Sequence, residues 1–274
     1  MYVAAAIVIG FLSAVLAGMF GIGGAALTTP SLRIFLDASP AIALGTTLPV
    51  TIPTAAAAAI TYWRRGLVDL KVAGTCCLSG VVAATGGAIL TKYIDLHYLM
   101  IATGAIILYV SAITIRRGLT TEYTPIDVDE GPVTEHTVKL DSASEPLEDA
   151  VPVVRALLVG FAAGLLSGLL GVGGGVLLIP GFLYVLHLPI RRAFGTSLAV
   201  IVVIAIPGTI VHSLLHHISW TLVLFMVIGS IPGAYLGARL NMKTAERLLY
   251  ILFGALLGAF GLLFIVNEII NIVR

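Results

Sequence analysis

The chain has 274 residues, of which 59% are hydrophobic and 11% charged, and its formal net charge is +1. Soluble globular domains carry about 45–50% apolar and about 25% charged residues, so this composition excludes an ordinary soluble enzyme, a disordered chain and a disulfide-rich secreted scaffold. The 30 glycines suit a membrane protein, because glycine is more frequent in membrane helices than in soluble ones. The composition therefore predicts an all-α polytopic membrane protein.

Ten apolar segments follow one another, five on each side of a polar stretch. In the first half they cover residues 2–20, 24–36, 42–63, 72–91 and 97–115. In the second half they cover 153–170, 175–187, 193–215, 220–240 and 246–266. The second segment of each half would be about 20 Å long as a helix, against a hydrocarbon core of about 30 Å. Because each short segment follows a run of glycines, we expect a broken or re-entrant helix at both places.

The two halves repeat one another at an offset of 150 residues. The stretch GFLSAVLAGMFGIGGAALTTP (10–30) aligns without a gap with GFAAGLLSGLLGVGGGVLLIP (160–180). The match continues in the same register from ALGTTLPV (43–50) to AFGTSLAV (193–200). We interpret this as an internal duplication of about five apolar segments.

Positive charges indicate that the two copies have opposite orientations in the membrane. The loop after the third segment contains Arg64, Arg65 and Lys71 in the first half, and neither Lys nor Arg in the second. The loop after the second segment shows the reverse, with Arg191 and Arg192 in the second half only. Since loops rich in Lys and Arg face the cytoplasm, the repeats are expected to be inverted, with both termini outside.

The predicted organisation is a first membrane repeat (1–117), an acidic cytoplasmic linker (118–152) and a second membrane repeat (153–274). Nine of the 14 acidic residues of the chain lie between Glu122 and Asp149, where Lys139 is the single base. Outside this stretch basic residues outnumber acidic ones by 14 to 5, so the membrane part is cationic.

The two glycine runs are the main candidates for a binding site. Glycine permits backbone geometry that a side chain blocks, and the N–H groups at a helix start form an anion site without a basic side chain. Two inverted copies would bring two such sites together near the middle of the membrane. Tight helix packing is the alternative for the glycines, and helix capping is the alternative for the hydroxyls that follow. The predicted binding residues are Gly21, Gly23, Gly24, Thr46, Thr47, Gly171, Gly173, Gly174, Gly175, Thr196 and Ser197.

Two pairs of prolines lie in corresponding segments of the two halves. Pro53 and Pro207 fall inside the long third segments, where proline removes a backbone donor and bends a helix, so both are predicted hinges. Pro30 and Pro180 are expected to limit the two short helices.

Three histidines cluster at the end of the eighth segment. The i, i+4 spacing of His212 and His216 places them on one face of a helix, with His217 beside them. His212 is a candidate proton relay, and the alternative is a hydrogen bond to a neighbouring helix. No carboxylate or cysteine accompanies the histidines in sequence, so no metal site is predicted.

The two cysteines, Cys76 and Cys77, are adjacent in an apolar segment. Their side chains point about 100° apart on a helix, so a disulfide between them is not expected. They are either small buried side chains or a soft ligand for a sulfur compound or a metal. The sequence contains no phosphate-binding loop, metalloprotease motif or serine-hydrolase motif, so no catalytic residue and no cofactor are predicted.

The doubled glycine pattern resembles the TauE/SafE family of sulfite-exporter-like membrane proteins. The similar residues are 10–30 with 45–48 and 160–180 with 195–198, and the first copy has Ala25 and Thr47 where the second has Gly175 and Ser197. The resemblance covers nearly the whole chain outside the linker. It implies a secondary transporter in the cell membrane that moves sulfite or an organosulfonate such as sulfoacetate, with coupling to protons.

Alternating access is the mechanism that we expect of such a transporter. The expected partners are a small anion and membrane lipid, without nucleic acid, and a homodimer is left open. Two other hypotheses are a metal-cation permease and a non-transporting receptor or scaffold that signals through the linker.

Overall fold

The computed structural model describes residues 2–36, 38–90, 96–120, 153–170 and 174–273, and every regular element in these ranges is helical. The all-α fold is therefore confirmed. The first half forms α1 (Tyr2–Phe20), α2 (Ala25–Phe35), α3 (Pro40–Trp63), α4 (Leu70–Leu90) and α5 (Leu96–Thr120). The second half forms α6 (Val153–Leu170), α7 (Gly175–Pro180), a π-helical turn (Gly181–Val185), α8 (Ile190–Leu214), α9 (Trp220–Lys243) and α10 (Glu246–Val273).

Five helices in the described ranges are long and apolar enough to cross a membrane: Val3–Phe20, Leu70–Gly87, Ile190–Leu214, Trp220–Lys243 and Glu246–Leu263. Their outer faces expose large apolar side chains, such as Leu12 (58% exposed), Leu78 (73%) and Leu224 (61%). Lipid is the favourable surrounding for such side chains, because their contact with water costs free energy. The outer surface of the helix bundle is therefore that of a membrane protein.

The second element of each half is short, as the sequence predicts. α2 has 11 residues, about 16 Å, and α7 with the following π-helical turn has the same length. The expectation that Pro30 limits α2 is wrong, because Pro30 lies inside this helix. Pro180 is the last residue of α7, after which the helix widens so that the Leu186 N–H donates to the Gly181 carbonyl at 3.1 Å.

The main helix contacts form pairs that are related to one another by the offset of 150 residues. α1 packs on α9 and α4 packs on α6, where α6 is the copy of α1 and α9 is the copy of α4. α3 packs on its own copy α8, and α5 packs on its own copy α10. α3 and α8 run antiparallel, since Leu48 lies beside Gly208 near the start of one and the end of the other, and Tyr62 lies beside Gly195.

Glycines inside helices allow α1 and α9, and likewise α4 and α6, to pack with their backbones in contact. A Cβ added at Gly237 would collide with the carbonyl oxygen of Val15. A Cβ added at Gly87 would collide with that of Leu165, which is the same contact in the other pair. For these helical glycines, close helix packing is the observed role.

Candidate functional site

The first glycine loop joins α1 to α2 with a left-handed backbone. The φ angles are +71° at Gly21, +78° at Gly23 and +88° at Gly24, a conformation that other L-residues rarely adopt. The Gly21 N–H donates to the Ala17 carbonyl at 2.8 Å, so Gly21 extends the hydrogen bonding of α1. The N–H groups of Gly23 and Gly24 have no hydrogen-bond partner in the part of the chain that the structure describes.

A small cavity lies beside Gly23 and Gly24, where α1, α2, α3 and α9 meet. Its volume is about 10 Å³, which is room for about one water molecule. Half of its lining residues carry a hydroxyl group and none is charged. The lining consists of Gly10, Ser13, Ala14, Gly23, Gly24, Thr28, Val50, Thr51, Thr54 and Ser230.

Four of the five lining hydroxyls hydrogen-bond to their own helix or its cap. Thr28, Thr51 and Thr54 each donate to the carbonyl four residues earlier, at 2.6–2.9 Å, and Ser230 donates to the carbonyl three residues earlier, at 3.3 Å. Ser13 is 6% exposed and has no hydrogen-bond partner among the described residues. A threonine that bonds its own helix can rotate its hydroxyl toward a ligand instead. The sequence predicts Gly23 and Gly24 as binding residues but none of the hydroxyls of this cavity.

Thr46 and Thr196 make the same contact at two equivalent places. Thr196 Oγ1 accepts a hydrogen bond from the Asp69 N–H at 3.0 Å, and Thr46 Oγ1 accepts one from the Ser219 N–H at 3.1 Å. Both threonines are fully buried. The first contact joins the beginning of α8 to the turn after α3, and the second joins the beginning of α3 to the turn after α8.

Thr47 and Ser197 also lie within the packed helices. Thr47 Oγ1 lies 3.2 Å from Thr29 Oγ1. Ser197 Oγ lies 2.8 Å from the carbonyl oxygen of Gly21 and 2.9 Å from that of Phe194, so it fastens the first glycine loop to α8. Among the residues that the structure describes, the four predicted hydroxyls do not line the cavity, and their contact with a ligand stays a prediction.

The second glycine loop is described only in part, since Gly171 and Gly173 lie outside the described residues. Gly174 has a φ angle of +72° and precedes α7. A Cβ added at Gly175 would lie 2.6 Å from the carbonyl oxygen of Ile22, so the two glycine loops contact each other. Ser167, which is 5% exposed, lies beside Gly174.

His212 lies in the last turn of α8, with its ring centroid 5.6 Å from that of His217. The Nδ1 atoms of both rings are buried and have no hydrogen-bond partner among the described residues. The expectation that His212 and His216 share a helical face is wrong. α8 ends at Leu214, and His216 lies exposed in the following turn with a φ angle of +56°. In the described ranges no group of three or more His, Cys, Asp or Glu side chains could hold a metal ion.

The remaining predicted residues lie inside helices. Pro53 is within α3 and Pro207 within α8, and their action as hinges stays a prediction. Cys76 and Cys77 are free cysteines. Cys76 is fully buried, and its Sγ donates to the Ala156 carbonyl at 3.1 Å, so this thiol joins α4 to α6.

Comparisons with known proteins place the chain among membrane transporters. The family described as sulfite exporter TauE/SafE matches residues 6–264. The probable membrane transporter protein YdhB of Bacillus subtilis (strain 168) is 30% identical over 229 residues, which cover 81% of this chain and 84% of that protein. The probable membrane transporter protein YunE of the same organism is 25% identical over 231 residues, covering 81% and 82%.

A probable membrane transporter protein of Methanocaldococcus jannaschii is 28% identical over 210 residues, covering 74% of this chain and 70% of that protein. No solved structure matches the chain. The resemblance in the glycine motifs is thereby confirmed across nearly the whole sequence. The chain belongs to the TauE/SafE family and is a multi-pass membrane transporter.

Proposed function

We propose that the protein is a secondary transporter of a small anion, either sulfite or an organosulfonate such as sulfoacetate. The observation that carries this proposal is the buried cavity of hydroxyl groups and glycine backbone before α2. Hydroxyls and free N–H groups at a helix start are donors for the oxygen atoms of an anion, and the helix dipole favours negative charge there. The family's description as sulfite exporters supplies the substrate class.

Alternating access between inverted repeats is the mechanism that we propose. It is supported by the antiparallel contact of α3 with its copy α8, and by the exchange of partners between the pairs α1–α9 and α4–α6. Inverted repeats of one sequence can adopt two related packings that open the site to opposite sides of the membrane. A cavity with room for about one water must widen to admit an oxyanion, so binding requires helices to move apart.

The proposed topology places the basic end of the molecule and the linker in the cytoplasm, and both termini outside. The turn with Arg64 and Arg65 contacts the start of α8, which carries Arg191 and Arg192. Arg191 donates to the Thr244 carbonyl at 2.8 Å, which brings the α9–α10 turn to the same end. The gathering of these basic loops at one end supports the assignment, because cytoplasmic loops carry the excess of Lys and Arg.

Proton coupling is the last part of the proposal, with the proton carried by His212 or by the anion itself. His212 occupies the position of α8 that Tyr62 occupies in α3, at the opposite end of the molecule from the basic loops. The Tyr62 hydroxyl donates to the Gly18 carbonyl at 3.0 Å, whereas the buried Nδ1 of His212 has no partner among the described residues.

The experiment is a ligand screen with purified protein, followed by flux into proteoliposomes. Sulfite, sulfoacetate, methanesulfonate, taurine, thiosulfate, sulfate and simple carboxylates are compared for the rise in unfolding temperature. A ligand at 100 times its Kd stabilises the protein that binds it by about 2.7 kcal/mol. We expect stabilisation by a sulfur oxyanion and its uptake by the proteoliposomes. If none of these anions stabilises the protein or enters the proteoliposomes, the proposal is wrong.

A further inference from the structure

We infer that the two halves have unequal roles, and that the anion binds at the first glycine loop, in the cavity lined by Ser13, Thr51 and Thr54. The equivalent place in the second half is filled by apolar side chains and serves packing. This inference rests on the proposed anion transport and names the site that performs it.

The residues that line the cavity fall into two groups when they are compared with the equivalent residues of the other half. Positions that contribute backbone are the same in both copies, as at Gly23 with Gly173 and Gly24 with Gly174. Every position that contributes a hydroxyl to the cavity has an apolar residue in the other copy. These pairs are Ser13 with Ala163, Thr28 with Leu178, Thr51 with Ile201, Thr54 with Ile204, and Ser230 with Gly80.

The apolar partners are packed in the core. Leu178 and Ile201 are fully buried, and Ile204 is 2% exposed. A Cβ added at Gly80 would lie 2.5 Å from Ile204 Cδ1, so this isoleucine fills the space that faces Gly80. Three large aliphatic side chains therefore take the place of three threonine hydroxyls, and they offer no donor to an anion.

Ser13 adds a hydroxyl without a partner to the threonine hydroxyls at the first loop. Its side chain lines the cavity, is more than nine-tenths buried and has no hydrogen-bond partner among the described residues. Ser167 beside Gly174 is also buried and without a partner among the described residues, so Ser13 distinguishes the first loop only together with the threonines that line its cavity. The neighbouring N–H groups of Gly23 and Gly24 likewise have no partner in the described ranges, so unused donors of two kinds meet at one cavity.

The lining also determines the class of anion. Because no lining residue is charged, the negative charge of a ligand would be balanced by hydroxyl and backbone dipoles alone. The cost of removing an ion from water rises steeply with its charge, so two charges are much harder to bury here than one. The site therefore suits a singly charged oxyanion, such as hydrogen sulfite or methanesulfonate. Of the proposed substrates it favours hydrogen sulfite over sulfoacetate, which carries two negative charges, and it likewise disfavours sulfate.

The test uses one buried serine beside each glycine loop of the full-length protein. Ser13→Ala and Ser167→Ala remove the same group, and Ser167 is 5% exposed beside Gly174. Methanesulfonate affinity is measured by thermal titration, with sulfate as the second probe. We expect Ser13→Ala to weaken methanesulfonate binding about 10- to 100-fold, as for one hydrogen bond to a charged group, and Ser167→Ala to leave it unchanged.

A second pair of variants tests the same inference if a serine variant fails to fold. Thr54→Val removes a lining hydroxyl at nearly constant volume, and Ile204→Val is the matched change at the equivalent position, where the side chain faces Gly80. We expect Thr54→Val to weaken methanesulfonate binding and Ile204→Val to preserve it. Equal losses in both members of either pair, or no loss in Ser13→Ala and Thr54→Val, would overturn the inference. Absence of methanesulfonate, sulfite and sulfoacetate binding by the parent protein would instead count against the proposed function.

Discussion

The two glycine loops share their glycines and differ in what surrounds them. The first loop, before α2, faces a cavity with hydroxyl groups from α1, α2, α3 and α9. At the positions equivalent to the cavity threonines Thr28, Thr51 and Thr54, the second half has Leu178, Ile201 and Ile204, which are buried in the core. A repeated motif therefore shows that the backbone geometry occurs twice, and the side chains from neighbouring helices decide whether that geometry can hold a ligand.

The largest effect on stability is expected at the glycine contacts between helices, which are equivalent in the two halves. Gly87→Leu and Gly237→Leu would each drive a side chain into the backbone of the neighbouring helix. We expect both to cost at least about 1–3 kcal/mol and to reduce the yield of folded protein to a similar extent. Gly86→Leu is the control, because a Cβ at Gly86 meets nothing within 4 Å. Size-exclusion profiles in detergent that stay normal for either of the first two variants would contradict the symmetric packing.

Anion binding should respond differently to the same substitution in the two glycine loops. Gly24→Val and Gly174→Val both place a β-branched residue at a positive φ angle, at a cost of about 1–3 kcal/mol. At Gly24 the added Cβ would fit 3.5 Å from Ala17 and 3.7 Å from Thr54, on the side of the cavity. We expect both variants to unfold at lower temperature and only Gly24→Val to abolish methanesulfonate binding. Abolished binding in both variants would favour a site shared equally by the two loops.

A smaller effect is expected at His212, which occupies the position equivalent to Tyr62 of the first half. His212→Gln should retain uptake of the anion and lose its stimulation by an imposed pH gradient, because glutamine carries no titratable proton. His216→Gln is the control, since His216 is exposed outside α8. Uptake into proteoliposomes with and without the gradient is the measurement. Full gradient dependence in His212→Gln would assign the proton to the anion itself.

The smallest effect is expected at the paired threonine contacts. Thr46→Val and Thr196→Val each leave one backbone N–H, of Ser219 or Asp69, without its acceptor. We expect each to destabilise the protein by about 1 kcal/mol, the net contribution of one part-buried hydrogen bond, by the same amount in both halves. Thermal unfolding without ligand checks this. An additional loss of methanesulfonate affinity in either variant would support the predicted role of these hydroxyls in binding.

The helices could be predicted from the sequence because each apolar run is bounded by glycine, proline or charge, and the two halves check each other. The prediction for Pro30 is wrong because proline removes one backbone donor without always ending a helix, as Pro49 and Pro53 inside α3 also show. His216 was misplaced because a period of four residues says nothing about where a helix stops. The cavity hydroxyls were missed for a different reason. Ser13, Thr51 and Ser230 come together only when α1, α3 and α9 pack, and no local pattern contains that information.

The exchange of helix partners has a consequence for how the polypeptide can be divided. The principal pairs α1–α9, α4–α6, α3–α8 and α5–α10 all join one half of the chain to the other. The two sequence repeats therefore pack against each other as two subunits of a dimer would, although they belong to one polypeptide. Neither repeat is an independent folding unit. Fragments cut within the linker and expressed together should reassemble into the complete bundle, whereas either fragment alone would leave the glycine faces of its helices uncovered.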